Sequence, residues 1–208
     1  MIEIDTGSKT VFRFDNVLDN VVCDQIYKYA TEFKHNKIND GYGNLPWNDG
    51  DHFSWYEIKN NLLKKQILMH RENVSHLIRE KLKLNVYPEF TDIVLWRTGK
   101  EQLRHRDNGY TPNDILRRRV VSCVTYVNDD FEGGETFIKT ENGNDYISEP
   151  KKGSVVFYLS DSTNEHGVNK ILSGLRVTLP VWFCTDQQYS EDLKDAEKIL
   201  KFLKAGLV

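Results

Sequence analysis

The sequence has no excess of positive charge. Its 28 lysine and arginine residues are balanced by 31 aspartate and glutamate residues, which gives a formal net charge of -3 at pH 7. The pI is near 6.1. A chain with this balance lacks the electrostatic attraction that binding to nucleic acid or to an anionic membrane requires. We therefore expect neither a nucleic acid nor a membrane among its partners.

Long apolar runs and paired cysteines are also missing. No stretch approaches the roughly 18 apolar residues that span a bilayer, and the first residues, MIEID, lack the apolar core of a signal peptide. Cys23, Cys123 and Cys184 are an odd number at wide spacing, without a C-x-x-C pair. Reduced thiols are the simplest interpretation. These absences predict an intracellular, cytoplasmic protein.

The first part of the chain favours helices. Apolar spacing predicts one helix over about 20–33 and a longer one over 57–84, which polar residues near 70–73 would interrupt. His70 and His76 are six positions apart, which is not a ligand spacing on a helix, so we expect both to be exposed. Between the helices, residues 35–56 are rich in glycine and aromatics. This long loop is either functional and mobile or an ordered surface loop anchored by its tryptophans.

From residue 90 the sequence favours β-strands separated by turn residues. Strands are predicted at 92–97, 119–128, 135–139, 145–148, 154–159 and 175–184, with an earlier one at 11–14. We expect an α+β fold in a single domain over 1–208. Helical support would occupy about 1–89, a jelly-roll-like barrel about 90–185 and a last helix about 190–205. The sequence does not indicate an oligomeric state.

His105 and Asp107 are the centre of the candidate site. Two positions apart on an extended segment, they point to the same face. With His166 they form a 2-His-1-carboxylate set, the ligand pattern of non-haem Fe(II) oxygenases, which leaves open positions on the metal. Arg176 precedes the apolar run LPVWF. A buried arginine there needs an anion, and a dicarboxylate cosubstrate would supply one.

In residues 90–184 the order of these motifs resembles the 2-oxoglutarate- and Fe(II)-dependent dioxygenases, within them the prolyl 4-hydroxylase group. The H-x-D motif is HRD at 105–107, the distal histidine is His166 in NEHGV, and the 2-oxoglutarate-binding basic residue is Arg176. Residues 126–136, YVNDDFEGGET, are similar to the family's YLN-x-x-x-x-GGET segment. Residues 150–157, PKKGSVVF, are similar to the family's strand entry, which begins P-x-x-G and leads to a phenylalanine.

The resemblance implies a double-stranded β-helix that uses Fe(II), 2-oxoglutarate and O2, with ascorbate as reductant, and releases succinate and CO2. It implies His105, Asp107 and His166 as metal ligands, and Arg176 and Tyr126 as contacts of the far carboxylate. Trp96, Gln102 and Pro180 stand where the family often has tyrosine, tyrosine and threonine. Trp96 is therefore a candidate cosubstrate contact at the position of the first tyrosine. Thr178, on the same strand face as Arg176, is the candidate to replace the threonine.

The implied substrate is a peptide or protein, most simply at proline in the 4-position. Residues 35–56 would close over the metal as a lid, with Trp47 and Trp55 contacting the substrate or, alternatively, pinning the loop to the helix at 57–84. Other hypotheses stay open: a silent barrel that binds a partner through 35–56, a zinc hydrolase, or the same iron chemistry on a nucleic acid or another non-prolyl substrate.

Simpler roles also stay open for single residues. Tyr126 would be ordinary packing on a core strand, and Arg176 would be half of a structural ion pair. The HRD triplet also occurs in protein kinases. Pro112, five residues after Asp107, stands where kinases have asparagine.

Overall fold

The computed structural model describes residues 1–32, 51–111 and 114–194. Within these ranges the chain forms thirteen strands and three α-helices. The helices are α1 Asn20–Glu32, α2 Asn61–Leu82 and α3 Glu191–Lys194. The strands are β1 Ile2–Ile4, β2 Val11–Asp15, β3 Asp51–Ser54, β4 Tyr87–Arg97, β5 Gln102–His105, β6 Val121–Tyr126, β7 Glu132–Gly133, β8 Thr136–Lys139, β9 Asp145–Ser148, β10 Val155–Leu159, β11 His166–Val168, β12 Ile171–Ser173 and β13 Leu175–Cys184.

The strands form one large sheet and one smaller sheet that matter for the site. The large sheet has the order β1-β2-β10-β6-β13-β4-β3, and the smaller one has the order β5-β11-β8-β9. A two-stranded ribbon joins β12 to β7. All the recorded strand pairings are antiparallel. The α+β class and the many-stranded second half are as predicted.

The two faces of the large sheet have different environments, and β13 shows why. Its odd-numbered apolar residues, such as Val177 and Leu179, belong to the core that packs under α1 and α2. Its even-numbered residues are Arg176, Thr178, Pro180 and Trp182, and these line a cavity on the other face. Because side chains alternate along a strand, one strand supplies both the apolar core and the polar cavity.

The helix α2 is shorter at both ends than the predicted 57–84, and it is continuous. It runs without a break from Asn61 to Leu82, with Asn60 as N-cap and Lys83 in the left-handed region at its end (φ 57°). The expected interruption near 70–73 is wrong. So is the expected exposure of His70, which is 2% exposed and contacts Thr125 of β6 through Nε2 at 2.8 Å. His76 is exposed as expected.

Parts of other predictions fall outside the described residues. Of the loop predicted over 35–56, residues 51–54 form the edge strand β3, which pairs with β4, and are therefore not loop. Residues 35–50 with Trp47, Pro112, and the helix predicted beyond 194 lie outside the described ranges. In the part of the chain that is described, no helix combines the length and the apolar character that crossing a bilayer needs.

Candidate metal centre and anion pocket

Three potential metal ligands lie together between the two sheets. His105 ends β5 and His166 begins β11, and these two residues are direct partners in the antiparallel pairing. Asp107 follows two residues after β5, where its backbone N–H donates to Ser160 O at 3.0 Å. One ligand atom from each of the three side chains lies within 4.8 Å of the others, and all three residues are buried. The pairing register therefore joins residues that are about 60 positions apart in the chain.

Both imidazoles turn the same nitrogen toward the backbone. Nδ1 of His105 lies 2.9 Å from Leu103 O, and Nδ1 of His166 lies 3.0 Å from Asn164 O. A carbonyl only accepts, so Nδ1 carries the proton in each ring, and Nε2 of a neutral ring presents a lone pair. Nε2 of His105 lies 3.4 Å from Asp107 Oδ1, and Nε2 of His166 lies 3.2 Å from Asp107 Oδ2. Lone pairs therefore face carboxylate oxygens.

This arrangement attracts positive charge. Burial lowers the pKa of His105, but the Asp107 carboxylate more than offsets this effect and raises it. Burial likewise raises the pKa of Asp107, but His166 and His105 hold it well below its usual value. A proton or a divalent cation between these atoms removes the repulsion of the lone pairs. Two imidazole nitrogens and one carboxylate on one side of an ion fit Fe(II), so the residues present suit the metal that the sequence predicts.

Two further donors orient the carboxylate of Asp107. The Ser122 hydroxyl donates to Oδ2 at 2.6 Å, and the Trp182 indole N–H donates to the same oxygen at 2.8 Å. Both residues lie on strands of the large sheet, on the face that lines the cavity. The sequence analysis did not single them out. The sequence could have indicated them, because Ser122 lies on the same face of its strand as Tyr126 and Trp182 lies on the same face of its strand as Arg176.

Arg176 has an unusual environment for a buried cation. It is 2% exposed. Its Nε donates to Gly134 O at 2.9 Å, Nη2 to Thr136 Oγ1 at 3.1 Å and Nη1 to Thr178 Oγ1 at 3.5 Å. No carboxylate within the described ranges forms an ion pair with it. Burial lowers its pKa, yet an arginine stays charged in proteins, so the guanidinium is a buried charge that has no ion-pair partner among the described residues.

The Gly133-Gly134 pair makes the approach of the arginine possible. Both glycines have positive φ, 73° and 69°, a region that other residues adopt only with strain. A Cβ on Gly134 would lie 3.0 Å from Cδ of Arg176. The double glycine of the GGET segment therefore allows the backbone conformation of this turn. It also leaves room for the Arg176 guanidinium to donate to Gly134 O.

Asp107, His166 and Arg176 line one cavity. Trp96 and Thr178, both predicted as cosubstrate contacts, are among its lining residues. Tyr126 is not. Its hydroxyl lies 2.7 Å from Thr136 Oγ1 and 2.8 Å from Ser148 O, and its ring lies 5.4 Å from the Arg176 guanidinium carbon. A cosubstrate contact for Tyr126 would require one of these hydrogen bonds to be exchanged.

Other lining residues were missed by the sequence analysis. They include Thr136, Tyr158 and Ser122. The Tyr158 ring packs against His166, with ring centroids 4.5 Å apart. Burial raises the pKa of Tyr158 well above its usual value, so its hydroxyl stays protonated beside the triad. In β10, Phe157 packs in the apolar core and the next residue, Tyr158, lines the cavity. Successive side chains of a strand point to opposite faces, so this alternation could have indicated Tyr158.

Trp55 does not take the place predicted for it. It is fully buried, and its indole N–H donates to Glu191 Oε1 at 3.1 Å while the Arg71 guanidinium carbon lies 5.0 Å from its ring. An enclosed indole has no face for a substrate, so the predicted substrate contact does not fit the structure. Its contacts with α2 and α3 are those of an anchor for the chain after β3.

A family model described as the 2OG-Fe(II) oxygenase superfamily matches residues 82–184, about half of the chain. The chain belongs to this superfamily. The matched segment of the oxygenase contains both histidines, the aspartate and Arg176. The family resemblance expected from the sequence motifs is confirmed.

Solved structures confirm the fold. A prolyl-4-hydroxylase from Pseudomonas putida is similar at a TM-score of 0.63 and 20% identity, covering 85% of this chain and 93% of that one. A prolyl hydroxylase from Trichoplax adhaerens, solved with a hypoxia inducible factor oxygen degradation domain peptide fragment, has a TM-score of 0.68 at 14% identity over 88% and 87%. At these identities the likeness concerns the fold, which is the predicted double-stranded β-helix.

Curated relatives are more similar in sequence but much longer. Prolyl 3-hydroxylase 1 of Gallus gallus is 33% identical over 155 residues, which is 64% of this chain and 21% of that protein. Prolyl 3-hydroxylase 2 of Homo sapiens is 40% identical over 76 residues, or 35% and 11% of the two chains. The oxygenase thus corresponds to about a tenth to a fifth of the length of these relatives.

Proposed function

We propose that this oxygenase is an Fe(II)- and 2-oxoglutarate-dependent dioxygenase that hydroxylates prolyl residues of a peptide or protein. The observation that carries the proposal is the buried Arg176, which has no acidic partner in the described chain and opens onto the same cavity as the His-Asp-His triad. A zinc hydrolase needs the triad but gives no reason for an uncompensated arginine. A 2-oxo dicarboxylic acid accounts for both.

In this proposal each residue has a distinct task. His105, Asp107 and His166 would hold Fe(II), which when bound would supply the activation of O2 for oxidation of the 2-oxo acid to succinate and CO2 and for hydroxylation of the substrate. Arg176, with Thr136 and Thr178 beside it, holds the far carboxylate through charge-assisted hydrogen bonds. Ser122 and Trp182 orient Asp107. Trp96, Val94 and Val168 exclude water from the cavity wall.

The prolyl substrate is supported by the names of the similar proteins, which are prolyl hydroxylases in both comparisons. The structural neighbours include a 4-hydroxylase and the sequence relatives are 3-hydroxylases. We propose hydroxylation at C4, as the motifs of the core imply, with C3 as the second candidate that the sequence relatives favour. Ascorbate as reductant and an intracellular location, which fits three free and buried cysteines, are parts of the same proposal.

The test begins without oxygen. Adding Fe(II) and then 2-oxoglutarate to the purified chain should produce a weak charge-transfer absorption in the visible range, which a silent barrel or a zinc hydrolase does not produce. Admitting O2 should then release succinate, and proline-containing peptides should accelerate this release and gain the mass of one oxygen atom.

Product analysis separates the finer alternatives. Comparison of hydrolysed peptide with 3- and 4-hydroxyproline standards assigns the position of the hydroxyl group. If 2-oxoglutarate is consumed but no proline peptide stimulates turnover or gains oxygen, the prolyl substrate is wrong and the oxygenase assignment stands. If no absorption and no succinate appear, the dioxygenase proposal itself is wrong.

A further inference from the structure

Gln102 is a polar residue of the cavity wall that has no role in the function proposed above. It is 6% exposed and lines the cavity that holds Asp107, His166 and Arg176. Its Nε2 is buried and makes no hydrogen bond within residues 1–32, 51–111 and 114–194. A buried amide donor without an acceptor is unfavourable unless a ligand or a water molecule supplies one. The side chain is therefore placed for something that enters the cavity.

The strand register shows which end of the cavity Gln102 serves. In the smaller sheet, His105 of β5 pairs with His166, which pairs with Ile138. Gln102 pairs with Val168, which pairs with Thr136. Residues that are direct partners across antiparallel strands point to the same face. Gln102 and Thr136 therefore flank Val168 in one row, and the two histidines of the triad belong to the neighbouring row.

Thr136 connects this row to the arginine. Its hydroxyl oxygen accepts from Nη2 of Arg176 at 3.1 Å. The row of Gln102 thus lies at the depth of the guanidinium, away from the metal end of the cavity. A neutral amide donor at that depth suits an anion, because it adds a hydrogen bond to the carboxylate without another buried charge to desolvate.

We propose that the amide of Gln102 is a second recognition group for the far carboxylate of the 2-oxo acid that Arg176 binds. This inference rests on the proposed function and specifies how this chain selects a dicarboxylate over a monocarboxylate. In this proposal Gln102 is a binding residue, because its Nε2 would donate a hydrogen bond to the ligand itself. Trp96, which neighbours Arg176 in the register, closes the same end with apolar surface.

The test is ligand affinity measured by calorimetry on the Fe(II)-loaded chain without oxygen, so that no turnover is involved. The ligands are 2-oxoglutarate and 2-oxovalerate, which has the same carbon chain and 2-oxo acid end but lacks the far carboxylate. The variants are Gln102→Leu, which removes the donor, and Gln102→Glu, which keeps the shape and opposes the carboxylate with a negative charge. Gln25→Leu and Gln25→Glu, on an exposed position of α1, are matched controls.

We expect Gln102→Leu to bind 2-oxoglutarate about tenfold more weakly or worse, the loss typical of a hydrogen bond to a charged group. Gln102→Glu should bind it more weakly still. Both variants should bind 2-oxovalerate like the wild type. A Gln102→Leu variant that does not fold leaves Gln102→Glu, which has the wild-type shape, as the deciding variant.

Three results would overturn the inference. Unchanged 2-oxoglutarate affinity in both variants, while Arg176→Met loses it, removes Gln102 from the site and leaves the proposed function intact. An equal loss for 2-oxovalerate means that Gln102 only shapes the cavity. Failure of the wild type to bind 2-oxoglutarate rejects the proposed function, and the inference falls with it.

Discussion

The indole N–H of Trp182 donates a hydrogen bond to Oδ2 of Asp107 at 2.8 Å, although the two residues are 75 positions apart. The ring of Trp182 is itself held in place by a second contact. The Arg119 guanidinium carbon lies 4.6 Å from the Trp182 ring, and Nε of Arg119 donates to Glu89 Oε2 at 3.0 Å. A buried ion pair therefore backs the tryptophan that orients the carboxylate of the triad. Such outer partners of ligands are needed to keep a ligand in position.

We predict that Trp182→Phe weakens Fe(II) binding by about 10- to 100-fold, the usual effect of removing a partner of a metal ligand. Ser122→Ala should act in the same direction, because Ser122 donates to the same oxygen. Anaerobic metal titration measures the affinity. Trp96→Phe removes an indole from the same cavity without removing a hydrogen bond to Asp107, so its metal affinity should match the wild type. Equal affinity in Trp182→Phe and wild type would show that the indole does not support the ligand.

Replacing either histidine of the triad by alanine should abolish stable metal binding, since two ligands on one face do not hold Fe(II) firmly. The measurement is metal content after anaerobic reconstitution and gel filtration, with succinate release as a second readout. His76→Ala, at an exposed position of α2, is the matched control and should retain full metal content. A His105→Ala or His166→Ala variant with normal iron and normal turnover would reject the triad.

Arg176→Met should raise the half-saturating concentration of 2-oxoglutarate and leave iron content unchanged. Methionine keeps an apolar stem but removes the charge. Removing one partner of a buried charged contact costs on the order of 2–5 kcal/mol of binding free energy. This corresponds to a change of about 30-fold or more. Lys170→Met, an exposed cation near the same ribbon, is the control. A normal requirement in Arg176→Met with a raised one in Lys170→Met would move the anion anchor to Lys170.

His70 predicts a pH dependence of stability. Complete burial lowers its pKa from 6.5 to about 4, so between these values the unfolded state binds more protons than the folded state. The contribution of His70 to the free energy of unfolding is therefore fully present above pH 6.5, and it is lost as the pH falls toward 4. Between pH 7 and pH 5 the loss should be about 2 kcal/mol.

Urea denaturation of wild type, His70→Gln and His76→Gln at both pH values tests this prediction. His70→Gln should lose less stability on acidification than the wild type, because glutamine does not titrate. His76→Gln, at an exposed position of the same helix, is the control and should behave like the wild type. A wild-type pH dependence in His70→Gln would assign the acid sensitivity to other groups.

The sequence alone was sufficient to predict the oxygenase family and much of the second half of the fold. The HRD triplet, His166, Arg176 and the GGET segment stand in the order that the family shows, and this ordered set was sufficient to predict it. Alternation along 175–184 was also sufficient to place Arg176 and Thr178 on one face. Both features depend on residue types and on a period of two, which are local properties that a sequence displays directly.

Tertiary structure decided what depends on register between distant strands. The strands β5 and β11 are three or four residues long, too short for periodicity to reveal, yet their pairing brings His105 to His166 and Gln102 to the row of Thr136. His70 and Trp55 looked exposed or available in sequence. In the fold, His70 of α2 is buried against Thr125 of β6, and Trp55 is buried beside Arg71 of α2 and Glu191 of α3. The hydrogen bond from Trp182 to Asp107 is of the same kind. Contacts across 75 residues follow from how sheets and helices pack, and no local pattern encodes them.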